Sequence, residues 1–236
     1  MRRIALLSLL LLFTAPLGAA GAAARPATAP VVVELFTAQG CSDCPEANAL
    51  LMRLADQPDV IALTYAVDYW DYLGWKDTFA RPEFAARQRA YRKAMNLRDV
   101  YTPQIVVDGK RQLTAVEADE VEAAVREEAR RDVYPPEMRF MGSDRVAVGS
   151  GRMPRGGASV WLVRYDAHPQ DVTVRRGENR GQTVRHGNVV RELTRLGQWR
   201  GRPSMFRIPK TRSADLKTVV IVQADRTGAV VAAGRR

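Results

Sequence analysis

The first half of the chain alternates short apolar runs with amphipathic stretches. Residues 31–36 and residues 60–67 are rich in β-branched and other apolar side chains, which predicts two buried strands. Between them, Leu50, Leu51 and Leu54 recur at helical spacing. The order strand, helix, strand predicts a βαβ unit, whose strands are parallel and joined by a right-handed crossover.

A second set of helical and strand patterns follows this unit. Residues 79–97 predict a helix with a basic face, and residues 104–107 predict a third strand. An Asp-Gly dipeptide at residues 108–109 is a strong hairpin signal and leads into a returning strand at residues 111–114. A charged helix is expected over residues 116–131.

From residue 137 onward the pattern changes to short alternating runs separated by glycine, proline and asparagine. Eight such runs in about 100 residues are typical of an antiparallel sandwich or barrel. They lie at residues 145–148, 158–165, 171–174, 182–185, 189–196, 204–208, 218–224 and 229–232. We therefore expect two domains, one at residues 31–134 and a basic, all-β one at residues 137–236.

The first 24 residues have the features of a secretory signal peptide. Two arginines follow Met1, residues 4–13 are apolar except for Ser8, and Ala22-Ala23-Ala24 offers a cleavage site. The apolar run is shorter than the roughly 20 residues that a membrane-spanning helix needs. We expect cleavage, and a soluble mature protein that is periplasmic or secreted.

Composition and charge add a contrast between the two halves. The chain has 236 residues, of which 46% are hydrophobic and 26% charged, as in ordinary globular proteins. Residues 1–134 carry 16 Lys/Arg and 18 Asp/Glu, whereas residues 135–236 carry 20 and 8. For an exported protein, this basic half indicates a solvated surface or contact with an anionic envelope surface, and nucleic acid is not an expected partner.

The chain has two cysteines, Cys41 and Cys44, which lie between a predicted strand and a helix start. In an oxidising compartment they could form a structural disulfide, but so short a loop constrains the unfolded chain little. A helix start also stabilises a thiolate through its free N–H groups and positive end. We therefore expect a redox couple in which Cys41 is the nucleophile and Cys44 resolves the mixed disulfide.

The Cys-x-x-Cys motif, the βαβ order and Thr102-Pro103 before a strand together resemble the thioredoxin superfamily. The resemblance implies an α/β thioredoxin-like domain with an inserted helix, followed by a mostly antiparallel, sandwich-like β domain. It also implies that Pro103 is a cis-proline facing the cysteines and that the backbone of Thr102 pairs with substrate.

Four segments carry a closer likeness, to the secreted thioredoxin-like proteins of domain-of-unknown-function family 1223. The likeness covers about residues 31–199 and supports fold and export more than any activity. The segments are VELFTAQGCSDCP, DYWDYLGWKD, TPQIVVDG and RGENRGQTV.

The chain also departs from ordinary thioredoxins. Asp43 between the cysteines is anionic and opposes a thiolate, and the usual tryptophan before the first cysteine is absent. Glu34 lies one residue out of register with the buried acid of thioredoxins, so it is a weak candidate for proton transfer. Trp70 and Trp75 either line a substrate surface or pack the inserted helix onto the sheet.

These features favour an exported thiol–disulfide oxidoreductase that acts on protein thiols or disulfides without a cofactor or a metal site. Two alternatives stay open. One is a redox-sensitive or Cu(I)-carrying envelope protein; the other is a partner-binding module in which the disulfide is structural. His168 and His186, the only histidines, lie far from the cysteines in sequence. The sequence does not predict an oligomeric state.

Overall fold

The computed structural model describes residues 29–131, 133–211 and 213–236. The expected signal peptide at residues 1–24 lies outside these residues. Within them, no helix combines the length and the apolar character needed to cross a membrane.

Helices and strands alternate in the first half, and strands alone make up the second. The first half contains β1 (Val31–Thr37), α1 (Cys44–Ala55), β2 (Val60–Ala66), a 3-10 turn (Asp71–Leu73), α2 (Pro82–Ala94), β3 (Gln104–Val107), β4 (Arg111–Thr114) and α3 (Ala118–Ala129). The second contains β5 (Met138–Met141), β6 (Arg145–Val148), β7 (Ala158–Asp166), β8 (Gln170–Thr173), β9 (Thr183–His186), β10 (Val189–Trp199), β11 (Ser204–Arg207), β12 (Lys217–Ala224) and β13 (Val230–Arg235).

Strands from both halves form one mixed sheet of eight strands, in the order β13-β12-β7-β10-β2-β1-β3-β4. The halves join where β10 pairs in parallel with β2 at Val189 and Thr64. The expected fold class, a thioredoxin-like α/β domain followed by a β-sandwich, is therefore wrong. The reason is that β2 is buried along its whole length and offers a second edge, which a strand from the other half occupies.

The large sheet curls, so that its two ends approach each other. The backbone N–H of Val230, in edge strand β13, donates to the carbonyl of Asp108 in the β3–β4 turn at 2.8 Å. Gly109 in this turn has a φ of +63°, and a side chain there would collide with the carbonyl of Gly228. The concave face encloses one apolar core, into which α2 packs through Phe84 and Tyr91.

The convex face of the sheet has two different covers. Helices α1 and α3 pack over β1, β2 and β3, burying Leu50, Leu54 and Val125. A separate three-stranded sheet, β11-β6-β5, covers β7 and β12 around the fully buried Trp199. Because both faces of the central strands are covered, they read as continuous apolar runs.

One charged pair lies within the concave core. Glu34 of β1 is 1% exposed, and Arg87 of α2 donates to its carboxylate from Nε at 2.9 Å and from Nη2 at 2.6 Å. Helix α2 begins at Pro82 because proline suits a first turn and holds the preceding Arg81 extended. Arg87 therefore faces the core, not the expected basic face of the helix.

Candidate redox site around the Cys41–Cys44 disulfide

Cys41 and Cys44 form a disulfide in the loop between β1 and α1, with their Cα atoms 5.4 Å apart. Helix α1 begins at Cys44, with Pro45 in its first turn, and the Cys44 amide donates to the Cys41 carbonyl at 3.2 Å. Cys41 thus lies just before the helix and Cys44 within its first turn. This is the location that the sequence pattern predicts for the pair.

A second segment is hydrogen-bonded to the loop that carries this disulfide. Strands β8 and β9 form a hairpin, and we call its connection, residues 174–182, the capping loop. Asn179 of this loop is fully buried, and its Nδ2 donates to the carbonyls of Gln39 at 2.9 Å and Cys41 at 2.7 Å. Cys41 is only 2% exposed and Cys44 is fully buried. In this state, an incoming thiol has almost no access to either sulfur.

Glu178 of the capping loop holds the residue after Cys41. Its Oε2 accepts the backbone N–H of Ser42 at 3.0 Å and the Ser42 hydroxyl at 2.8 Å. The Ser42 amide is one of the donors that would otherwise stabilise a thiolate near a helix start. Glu178 occupies that donor and adds a second carboxylate, besides that of Asp43, close to Cys41.

We call residues 38–43, between β1 and α1, the cysteine loop. Trp70 connects this loop with the Thr102-Pro103 segment. Its Nε1 donates to the Thr102 hydroxyl at 2.7 Å, and its Cβ lies against Gly40, the residue before Cys41. The Thr102–Pro103 peptide bond is cis. Trp70 is half-buried, so it both packs here and keeps part of its ring exposed.

Gln39 organises the other side of the cysteine loop. Its Oε1 accepts the indole N–H of Trp75 at 2.9 Å, its Nε2 donates to the Thr78 hydroxyl at 2.8 Å, and its backbone N–H donates to Asp77 at 2.7 Å. Trp75 therefore holds the loop in place through Gln39. Trp75 is half-buried, and its role in substrate binding stays a prediction.

Asp77 is the buried carboxylate that accepts the backbone N–H of Gln39. It is 4% exposed and accepts backbone N–H groups from Gln39, Phe79 and Ala80. Burial raises the pKa of Asp77 to about 6, despite these hydrogen bonds. Asp77 thus fixes the start of the cysteine loop, and its pKa lies at about 6. Glu34, the candidate acid predicted from the sequence, instead forms an ion pair with Arg87.

Sequence reasoning placed the cysteines, Thr102, Trp70 and Trp75 in this region but gave no role to Asp77, Glu178 or Asn179. Glu178 and Asn179 lie more than 130 positions from the cysteines, and hydrophobic periodicity carries no information about such contacts. The one available signal was the polar segment flanked by glycines, RGENRG, within the family-like stretch.

The described residues contain no group of three or more His, Cys, Asp or Glu side chains that could hold a metal ion. His168 is exposed beside Asp166, whereas His186 is fully buried against Phe79. Burial lowers the pKa of His186 to about 4, so this side chain is neutral at physiological pH.

Fold and site together define a protein with a curled mixed sheet and a covered Cys-x-x-Cys disulfide at the end of its first strand. Residues 32–223 match the family model described as "Protein of unknown function (DUF1223)". The chain therefore belongs to the DUF1223 family. No curated protein matches the sequence.

Two solved structures are similar to this one. Protein AGR_C_4864 from Agrobacterium tumefaciens, a crystal structure, is 30% identical, with a TM-score of 0.69 over 87% of this chain and 92% of that one. HBP35 of Porphyromonas gingivalis is 13% identical, with a TM-score of 0.58 over 89% of this chain and 75% of that one. At 13% identity, the second likeness concerns the fold alone.

Proposed function

We propose that this protein is a redox-responsive thiol–disulfide protein of the periplasm or the extracellular space. Its Cys41–Cys44 pair cycles between disulfide and dithiol, and the capping loop controls access to the sulfurs. The observation that carries the proposal is a set of hydrogen bonds between the two loops: Glu178 accepts two from Ser42, and Asn179 donates one to the Cys41 carbonyl. Each of these bonds has one partner in the cysteine loop. A change in the conformation of that loop on reduction therefore alters all of them.

Reduction consumes two thiols, which a single partner with a pair of thiols supplies. A partner thiolate attacks the Cys41 sulfur, the Cys41–Cys44 bond breaks, and Cys44 leaves as a thiolate that takes up a proton. The second partner thiol, as its thiolate, then attacks the partner sulfur of the mixed disulfide and releases Cys41. The chain gains two electrons and becomes a dithiol, while the partner becomes a disulfide. Oxidation follows the same steps in reverse.

A second candidate is turnover as a thiol–disulfide oxidoreductase on protein substrates. The observation that favours it is the position of Trp70, which contacts both Gly40 beside Cys41 and Thr102 beside the cis-proline. Trp70 is half-buried, and its exposed part would offer a surface for an extended substrate segment. In this candidate the capping loop opens when substrate binds.

The test is a redox titration of the purified mature protein with thiol trapping, combined with hydrogen exchange of the capping-loop amides in both redox states. We expect a reversible two-electron titration with a potential above about −300 mV, the range of non-structural disulfides. Exchange at residues 174–182 should rise on reduction, while exchange in β12 stays unchanged.

The outcomes separate the alternatives. A pair that resists reduction, with a Cys41→Ser/Cys44→Ser variant that only loses stability, would contradict the proposal and favour a structural disulfide. Partner proteins trapped by Cys44→Ser, together with catalytic reduction of a model protein disulfide, would favour the oxidoreductase. Stoichiometric Cu(I) binding by the reduced pair, without a redox response of the loop, would favour metal carriage.

A further inference from the structure

The small sheet β11-β6-β5 has one face towards the core and one towards solvent. Val146, Val148 and Phe206 are buried and pack around Trp199. Because side chains alternate along a strand, the residues between them point outward. We call these outward residues the outer face, and all of them except Ala147 are exposed. They are Arg139 and Met141 of β5, Arg145 and Ala147 of β6, and Met205 and Arg207 of β11.

Two arginines of the outer face lie directly opposite each other. The strand register pairs Arg145 with Met141 on one side and with Arg207 on the other. Opposite side chains on one face have Cβ atoms about 5 Å apart, and like charges at such positions destabilise the pairing. Asp144 contacts Arg145 at 3.7 Å, whereas Arg207 forms no ion pair with any described residue. An anion bound over the two guanidinium groups would therefore relieve their repulsion.

The segments that form and border this sheet are strongly basic. Residues 137–155 and 200–210 carry eight Lys/Arg and two Asp/Glu. Each of the two acids pairs with an arginine of the outer face, and all four of these side chains are more than half exposed. Water and salt screen such exposed pairs, so both arginines remain available to another anion. The basic character of the second half of the chain is thus concentrated at this sheet.

Methionines add apolar surface to the outer face. Met141 and Met205 are 43% and 52% exposed, and both line a shallow groove of about 450 Å³. Met153, which is 49% exposed, lies against Gly201 shortly before β11. Unbranched methionine side chains adapt to irregular apolar surroundings. No residue of the cysteine loop or the capping loop lines the groove, so this surface is separate from the disulfide.

We propose that the outer face attaches the protein to an anionic phospholipid surface. Its arginines bind lipid phosphates, for which the planar guanidinium group has a matching pair of donors. Met141 and Met205 enter the boundary between the headgroups and the acyl chains, as the apolar side of an interfacial element does. Charge attraction and apolar contact thus act on the same side of the molecule.

The size and charge of the outer face favour a lipid surface over a protein. Three strands of four residues cover roughly 180 Å², at about 4.8 Å between strands and 3.3 Å per residue. A standard protein interface buries about 800 Å² of each partner. A second copy of the chain would bring arginines against arginines. A lipid surface requires no minimum area, because each basic side chain adds its own attraction to the headgroups.

Co-sedimentation of the full mature protein with lipid vesicles tests this inference. Vesicles of phosphatidylcholine and phosphatidylglycerol are compared with vesicles of phosphatidylcholine alone. We expect binding to the anionic vesicles only, and rising salt should weaken it. Excess glycerol phosphate should not release the protein, because a free phosphate offers no apolar boundary for the methionines. Absence of binding, equal binding to both vesicles, or release by glycerol phosphate would overturn the proposal.

Charge variants locate the surface. Arg145→Gln/Arg207→Gln should weaken vesicle binding by roughly tenfold to thirtyfold, since each basic side chain at an anionic surface contributes about fivefold. Arg89→Gln/Arg98→Gln is the matched control, because it removes two exposed arginines from the first half, and we expect a change of less than about twofold. Equal loss in both variants would overturn the proposal, because it would show attraction by net charge alone. Circular dichroism checks that each variant is folded.

Apolar variants test the other contribution and the other occupants. Met141→Gln/Met205→Gln should weaken vesicle binding by about threefold to tenfold at constant charge, and unchanged binding would contradict insertion. Polyglutamate binding that depends on Arg145 and Arg207, without vesicle binding, would assign the surface to an acidic protein. A dimer that Met205→Asp dissociates would assign it to a second copy of the chain. Either result would overturn the proposal.

Discussion

The side-chain amide of Asn179 donates a hydrogen bond to the carbonyl of Cys41 at 2.7 Å, across 138 positions of sequence. The same nitrogen also donates to the carbonyl of Gln39. Asn179 is fully buried, so it anchors the capping loop to the cysteine loop away from competing water. This contact fixes the position of the capping loop relative to the cysteine loop.

Asn179→Ala should make the disulfide easier to reach. The substitution removes the donor of the Gln39 carbonyl, while the Cys41 carbonyl keeps the Cys44 amide, and this loss costs about 1–3 kcal/mol of unfolding free energy. We expect reduction by dithiothreitol to be roughly tenfold faster, because about 1.4 kcal/mol less opening energy gives that factor. Thr173→Ala, on the same hairpin but away from the cysteines, is the control. An unchanged reduction rate would show that the loop does not limit access.

Glu178→Gln tests the electrostatic role of the capping loop. The amide oxygen can still accept from Ser42, so contact is kept while the negative charge beside Cys41 is removed. A thiolate at Cys41 is then opposed less, and alkylation of the reduced protein by iodoacetamide at pH 7 should be about twofold to threefold faster, as a solvent-screened pair allows. Glu120→Gln, which removes a distant exposed charge, should leave the rate unchanged.

Local features of the fold could be predicted from sequence, but the assembly of the two halves could not. The apolar runs of β1 and β2 and the Asp108-Gly109 turn are all encoded within a few neighbouring residues. The parallel pairing of Val189 with Thr64 is different. Alternation of apolar and polar residues reports that a strand is buried, and it does not report which strand lies beside it.

The candidate site also combines residues that could be predicted from the sequence with residues that could not. Cys41 and Cys44 carry a spacing that is visible in sequence, whereas Asn179 and Glu178 act through a hydrogen bond to a backbone carbonyl and a backbone amide. Such partners carry no residue-type signal, because every residue has a backbone carbonyl and every residue except proline has a backbone N–H. The sequence predicts a basic face for the helix that carries Arg87 and does not predict its ion pair, because Glu34 lies 53 positions away.

Asp77 should give a pH-dependent contribution to stability. Its pKa is raised to about 6 in the folded protein from the model-peptide value of 3.8, so the folded state binds this proton more tightly than the unfolded chain. The contribution of this group to the unfolding free energy therefore falls as the pH rises from about 4 to about 6, by about 3 kcal/mol. Urea unfolding across this range should show the difference between Asp77→Asn and wild type change with pH. Asp119→Asn, at an exposed position, should show a constant difference.

His186 should contribute with the opposite sign. Its pKa is lowered from 6.5 to about 4 by burial, so the folded state binds this proton less tightly than the unfolded chain. The stability that it contributes is complete above about pH 6.5 and is lost as the pH falls towards 4, by about 3 kcal/mol. The effects of Asp77 and His186 thus oppose each other in wild type. His186→Leu should become relatively more stable as the pH falls, and parallel wild-type and variant curves would contradict this.

The buried pair of Glu34 and Arg87 offers the sharpest test of the core. Arg87→Met removes the partner of a carboxylate that is 1% exposed, which should destabilise the protein by about 3–5 kcal/mol. Glu34→Gln/Arg87→Met replaces both charges with neutral groups and should recover much of that loss, because the cost lies in leaving one charge unpaired. A double-mutant cycle by urea unfolding measures this coupling, and the exposed pair Arg111–Glu127 should give less than about 1 kcal/mol. Additive single effects at the buried pair would mean that each charge is stabilised independently of the other.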